Sequence, residues 1–247
     1  MRNIVVFVSG KGTNLEAIIK ALEPSIDPSV TKSRTTQVTS EAKELISGYE
    51  KSVQEKWNNS PMSPARMMFE LSEAVPDNAI IVDDSVSNRP ALRHYFQGKV
   101  RGDIRGVRGQ SIGGGIGATM GTQCANPNRP VFGIIGDGSA MMTIQGLWTA
   151  ANDNIPCVFV ICNNGMYRVL KVNFNVYQEE ILDQKETAGE NLLYSNFDTP
   201  FDISEIAKGM GLHSERITDP SGISAAVTRA LETGKPSVLD IVIDGSL

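Results

Sequence analysis

Asp137 and Asn164 close the two ends of a motif with the right groups for holding a divalent cation. It reads Gly136-Asp137-Gly138-Ser139, then 23 residues, then Asn163-Asn164. An Asp carboxylate and an Asn carbonyl are hard oxygen donors suited to Mg2+, an ion that keeps waters and typically bridges protein to phosphate oxygens. The glycines let the backbone approach such phosphates closely. Two further segments have phosphate-compatible chemistry. Asp83-Asp84-Ser85-Val86-Ser87-Asn88 follows an apolar run and opens a helix, so its N–H groups and hydroxyls suit an anion, with a plain Ser helix cap as the alternative. Its two carboxylates would repel a phosphate and are expected to face solvent or a partner. The run from Gly109 to Gly117, with Ile112 inside it, is rich in glycine. Each interior glycine costs a helix about 1 kcal/mol, which is explained if backbone passes close to a ligand or if helix and sheet pack tightly.

The elements that must position these residues alternate. Val131–Ile135 before the Asp and Cys157–Cys162 before the Asn pair are apolar and β-branched, as buried parallel strands are. Between them Ile144, Leu147, Trp148 and Ala151 fall on one helical face. Strand, crossover helix, strand is a βαβ unit, which brings both polar ends to the carboxyl edge of one parallel sheet. Further strands are expected at 79–82, 213–217 and 238–243. Helices are expected at 64–75, 88–96, within 111–125, at 203–210 and at 223–231. Residues 173–200 read as polar and irregular, a candidate flap. The fold class is α/β, three layers (α/β/α) around a mostly parallel sheet.

Ahead of this domain the character changes. Residues 3–22 read as strand, glycine turn and helix, with Leu15, Ile18, Ile19 and Leu22 on one face. Pro, Ser and Thr dominate to Ser40, a weakly amphipathic helix is expected over 41–57, and a boundary falls near Asn58–Pro61. The domains are therefore a short strand–loop–helix at 1–23, a linker and helix at 24–60, and the α/β domain at 61–247.

The totals exclude several function classes. Twenty-three basic against 28 acidic residues give a net charge of −5, with no basic cluster for nucleic acid. No apolar run approaches the ~20 residues of a membrane span. Cys124, Cys157 and Cys162 form no CxxC pair, and two lie within an apolar strand, so reduced thiols and a cytoplasmic location are expected. The only two histidines, His94 and His213, stand beside no nucleophile and read as surface or packing residues.

The stretch GDGSAMMTIQGLWTAANDNIPCVFVICNNGMY resembles the signature of thiamine-diphosphate enzymes. From about Ser60 onward the chain is similar to the diphosphate-binding domain of benzoylformate decarboxylase and acetolactate synthase relatives. The resemblance implies thiamine diphosphate and Mg2+ as cofactors. Asp137, Asn164 and the backbone carbonyl of Met166 would hold the metal, and Ser87, Ile112, Gly136, Gly138, Ser139, Asn163 and Tyr167 would line the cofactor. Where the family pattern has two adjacent hydroxyl residues this chain has Val86-Ser87, so one hydroxyl is missing. By alignment on Gly136, Ile112 takes the place of the bulky residue that supports the cofactor's bent shape. The implied reaction is decarboxylation or carboligation of a 2-oxo acid by a homo- or hetero-oligomer. In the family a glutamate on a pyrimidine-binding domain activates the cofactor, and no counterpart fits ahead of Ser60. The chain is therefore expected to need such a domain or subunit as a partner. A non-catalytic cofactor-binding subunit or fragment is the alternative.

The head, MRNIVVFVSGKGTNLEAIIKAL, resembles the opening of glycinamide ribonucleotide formyltransferase, with Gly10, Gly12 and Thr13 in a phosphate-binding turn. That likeness stops after about 22 residues and no Asn-His-Asp set follows it. Residues 26–32 are similar to the end of the thiamine family's central domain.

Overall fold

Apolar runs at four places along the chain, with a polar five-residue strand at one edge and a three-residue segment at the other, assemble into a single sheet. The computed structural model describes residues 27–96, 103–107, 109, 111–184 and 192–246; the expected strand–loop–helix of residues 1–23 and Gln110 lie outside them. Contacts divide the chain into residues 1–54 and 55–247.

In the first unit the described element is helix α1 (Pro28–Glu55). Asp27 caps it, its carboxylate accepting from Ser29 N at 2.8 Å and Ser29 Oγ at 2.7 Å, and Pro28 stands at the first position, where a missing N–H costs nothing. The helix thus begins 13 residues before the expected Glu41. Hydroxyls that read as linker fold back on the preceding turn, Thr31 Oγ1 to Asp27 O at 3.1 Å and Thr36 Oγ1 to Lys32 O at 3.0 Å.

The second unit runs α2 (Pro64–Ala74), β1 (Ile80–Asp84), α3 (Arg89–Phe96), β2 (Ile104–Gly106), α4 (Gly115–Ala125), β3 (Val131–Gly136), α5 (Asp137–Met142), α6 (Gly146–Asn152), β4 (Val158–Asn163), α7 (Arg168–Val176), α8 (Ile203–Gly209), β5 (His213–Ile217), α9 (Ile223–Glu232) and β6 (Ser237–Val242). All six strands are parallel, in the order β2-β1-β3-β4-β6-β5. Successive side chains alternate between faces. Ile80, Val82, Val131, Ile135, Phe159, Ile161 and Val238 form one core with Ile116 of α4, Leu147 of α6 and Ile203 of α8. On the other side α2 packs against α3 and α9, burying Met67, Met68 and Leu71 completely. The three-layer α/β expectation holds.

Three local expectations are corrected. Strand β2 was not foreseen: it has three residues, one of them Arg105, and pairs on one side only. The crossover after β3 is two short helices, α5 and α6. Leu147 is buried, but Trp148 is 57% exposed and lies off the core face. The stretch read as irregular from 173 begins as helix α7 and continues through a π-helical turn, Tyr177–Ile181. Among the described residues no helix is long and apolar enough to cross a membrane.

Candidate functional site

The chain leaves β1 toward β2 on one side and leaves β3 toward β4 on the other, so the strand order reverses between the neighbours β1 and β3. At such a switch point the loops beyond the strand ends diverge and leave a crevice. A cleft lies there, lined by Ser85–Asn88 after β1, Gly136–Ser139 at the end of β3, Asn164 and Met166–Val169 after β4, and Ile112.

Asp137 is its electrostatic centre. The carboxylate is 3% exposed. Oδ1 accepts from its neighbour Gly138 N at 2.8 Å, and Oδ2 accepts from Gly165 N at 2.7 Å, across the gap between β3 and β4. Burial pushes its carboxyl up from 3.8 to about 6, against the lowering effect of the N–H groups. No Lys or Arg pairs with it among the described residues; the backbone N–H groups of Gly138, Gly165 and Asn164 are what approach it. Asn164 Oδ1 accepts from Met166 N at 3.1 Å, in a turn completed by Gly165 at φ +68°. The available donors are thus carboxylate and carbonyl oxygens, a hard set that fits Mg2+ and not a thiophilic metal.

Tyr167 and Gly138 meet. The Tyr167 ring lies over Gly138, where a Cβ would come 2.8 Å from Tyr167 Cδ1 and nearer still to Cε1. Phe197 backs that ring edge-on at 4.7 Å. Tyr167 N donates to Ser195 O at 2.7 Å and Phe197 N to Gly165 O at 2.9 Å. Residues 195–197 therefore brace the loop after β4.

Ile112 is 48% exposed at the cleft on a fixed backbone. Gly113, at φ +88°, donates its N–H to Ser139 Oγ at 2.6 Å, and its carbonyl accepts from Thr143 Oγ1 at 2.7 Å. The positive φ requires glycine here. Gly115 packs so closely on Asp84 and Ile135 that a Cβ would come within 2.9 Å of both, whereas nothing lies near Gly117.

Several expectations change. Asp83 and Asp84 do not face solvent or a partner; they are 1% and 3% exposed. Asp83 Oδ1 accepts from Ser85 N and Oγ in an Asx turn and its Oδ2 pairs with Arg89 Nε at 2.8 Å. Asp84 Oδ2 accepts from Ser139 Oγ at 2.6 Å and from Gly115 N at 2.9 Å. Burial holds the Asp84 carboxyl above its ordinary value. The Ser139 proton is thereby committed to Asp84, and its hydroxyl, while lining the cleft, also ties β1, β3 and the glycine segment together. Asn163 does not line the cleft: its Nδ2 donates to Asp240 Oδ1 at 2.8 Å and to Phe201 O at 2.9 Å. Ser87 does line it. Beside it Val86 adopts φ +52°, an uncommon conformation for a β-branched residue. Asn88 was missed. It is 2% exposed and lines the cleft with Oδ1 unpartnered, and no sequence pattern marks it. The Asp83-x-Ser85 spacing, by contrast, is a readable turn signal. Neither histidine lines the cleft.

The chain matches, over residues 93–241, the family described as thiamine pyrophosphate enzyme, C-terminal TPP binding domain. It is 29% identical over 182 residues to benzoylformate decarboxylase of Pseudomonas aeruginosa, covering 73% of this chain and 32% of that protein. It is 28% identical over 182 residues to acetolactate synthase isozyme 2 large subunit of Escherichia coli, covering 72% and 31%. Among solved structures it superimposes on the thiamine diphosphate-dependent 4-hydroxybenzoylformate decarboxylase of Rhodococcus jostii RHA1 with a TM-score of 0.65 and 29% identity, covering 75% of this chain and 33% of that one. The chain spans about a third of the length of these relatives.

Proposed function

The chain belongs to the thiamine pyrophosphate enzymes, as their C-terminal cofactor-binding domain, and from that premise we propose that its cleft anchors thiamine diphosphate through Mg2+ in a 2-oxo-acid decarboxylase or carboligase. One observation carries the assignment of residues. A buried carboxylate, Asp137, paired with no Lys or Arg among the described residues, meets the Asn164 turn at the sheet's switch point, where the side-chain and backbone groups able to hold a cation are oxygens. In this reading Asp137, Asn164 Oδ1 and the Met166 carbonyl hold the ion. Ser87 and the backbone of Gly136 and Gly138 hold the diphosphate, with Tyr167 covering Gly138. Ile112, fixed by its anchored neighbour Gly113, supports the body of the cofactor. When bound, thiamine diphosphate supplies an electron sink for breaking the bond next to a 2-oxo acid's carbonyl. The chain's own contribution is anchoring and orientation: it places the ion, holds the diphosphate end and presents one apolar side chain. A pyrimidine-binding domain, from a partner subunit or a further part of the protein, completes the site in an oligomer.

The test is calorimetric titration of thiamine diphosphate with and without Mg2+. Binding is expected only with the cation. Asp137→Ala, which removes the charged ligand and leaves the backbone, is expected to weaken it at least tenfold, about 1.4 kcal/mol. Equal affinity in chelator and in Mg2+ overturns the reading.

A further inference from the structure

A carboxylate stands in the middle of an apolar inner strand, outside the cleft's lining, though close enough for its charge to be felt at Asp137. Asp240 of β6 is 0% exposed among Val238, Leu239 and Ile241. Its Oδ1 accepts from Asn163 Nδ2 at 2.8 Å, and its Oδ2 accepts from Arg216 Nη1 at 2.9 Å and more weakly from Ser204 N at 3.4 Å. The same two donors converge on one carbonyl: Phe201 O accepts from Asn163 Nδ2 at 2.9 Å and from Arg216 Nη1 at 3.3 Å. An ion pair whose carboxylate is fully buried is a poor source of stability, since desolvation offsets much of its attraction, but it fixes geometry because the buried partner tolerates few arrangements. What it fixes here can be followed outward. Phe201 packs on Phe197 at 5.0 Å, Phe197 on Tyr167 at 4.7 Å, and Tyr167 lies over Gly138. Asn163 is also covalently joined to Asn164. The network therefore grips the loop after β4 at both of its supports, the strand end and the aromatic brace.

We propose that Asp240 and Arg216, acting through Asn163 and Phe201, are positioning residues that set the placement of Asn164 and Tyr167 against Asp137, and so the cation selectivity of the cleft. This rests on the proposed function and gives Asn163 the role of an internal anchor. Mg2+ demands near-ideal octahedral oxygen geometry, whereas Ca2+ accepts longer and less regular coordination. Loosening the loop is then expected to cost Mg2+ more than Ca2+.

The experiment compares the full chain with Asp240→Asn, which keeps the shape and loses the charge, and Arg216→Gln. Arg216 is 32% exposed, so the latter leaves a soluble side chain at a half-open position. Circular dichroism and thermal melts establish folding, and titrations of thiamine diphosphate in Mg2+ and then in Ca2+ give the ratio of the two affinities. Expected are folded variants whose affinity in Mg2+ falls at least fivefold and whose Mg2+ to Ca2+ ratio falls at least threefold. Arg216→Lys, which restores the charge, should recover part of both. A merely structural role would lower the melting temperature and leave the ratio unchanged, and that result in Arg216→Gln overturns the inference even if Asp240→Asn does not fold. A wild-type chain that binds no cofactor in either ion overturns the proposed function and this inference with it. Binding by the wild type with unaltered variants overturns this inference alone.

Discussion

Burying Asp137 makes the folded chain hold, between about pH 4 and 6, a proton that the unfolded chain gives up. Its carboxyl titrates near 6 instead of 3.8. Between those values the native state binds more protons than the unfolded one, so this residue's contribution to stability falls as pH rises through the window. The full penalty at neutral pH is on the order of 3 kcal/mol. Asp84 and Asp240 are shifted in the same direction, so the informative measurement is a difference. In urea denaturation without divalent ions, Asp137→Asn is expected to gain on the wild type as pH rises from about 4 to 6 and to keep that advantage at pH 7. A constant difference across the range would contradict the assignment. Added Mg2+ should remove the wild type's deficit, because the ion then occupies the place that the proton held. Asp137 and Asn164 were legible in the sequence because each follows a long apolar strand. Asn163 was not, since its partner Asp240 lies 77 residues away and nothing in the Asn pair tells which side chain turns inward.

At the scale of elements, two glycines separate the demands of ligand and packing. Gly117 in α4 has nothing within 4 Å of where a Cβ would stand, so Gly117→Ala is expected to raise stability by about 1 kcal/mol through helix propensity alone. Gly138 in α5 has the Tyr167 ring against it, held from behind by Phe197, so the ring cannot yield cheaply. Gly138→Ala is expected to cost about 1–3 kcal/mol from overpacking and to weaken cofactor binding. Denaturation midpoints of the two variants, moving in opposite directions, check both. Elements with strong local signals were readable. β4 is buried along its whole length and β3 in all but its last residue, and a continuous apolar run announces that. What was not readable depends on tertiary context. Strand β2 exists because β1 offers it an edge. The first half of α1 is helical although its Ser and Thr residues compete with the backbone. Trp148 satisfied the helical spacing, yet in α6 it is 57% exposed beside the buried Leu147, one residue and about 100° away around the helix.

For the whole molecule the relevant number is its span, about a third of its relatives. The cleft's lining covers the metal and diphosphate end of the proposed ligand, while Ile112 at its margin is left half exposed. The 247-residue chain is therefore expected to bind thiamine diphosphate without turning over 2-oxo acids at an enzyme-like rate, because the reacting end stays in water. Assays with benzoylformate and pyruvate, before and after adding a pyrimidine-binding domain, check this, and rapid CO2 release by the chain alone would contradict it. The sheet order carries one more consequence, which concerns how the chain is made. β6 is the last of the six strands to be synthesised, yet it lies between β4 and β5 and pairs with both. At ribosomal speeds the roughly twenty residues between β5 and β6 take about 1–4 s to appear. Throughout that interval β5 has no partner and β4 keeps one apolar edge open, an invitation to pair with another chain. Translation that stalls there leaves a nascent chain prone to aggregate, and Asp240, the inner anchor of the cleft, is among the last residues of the sheet to arrive.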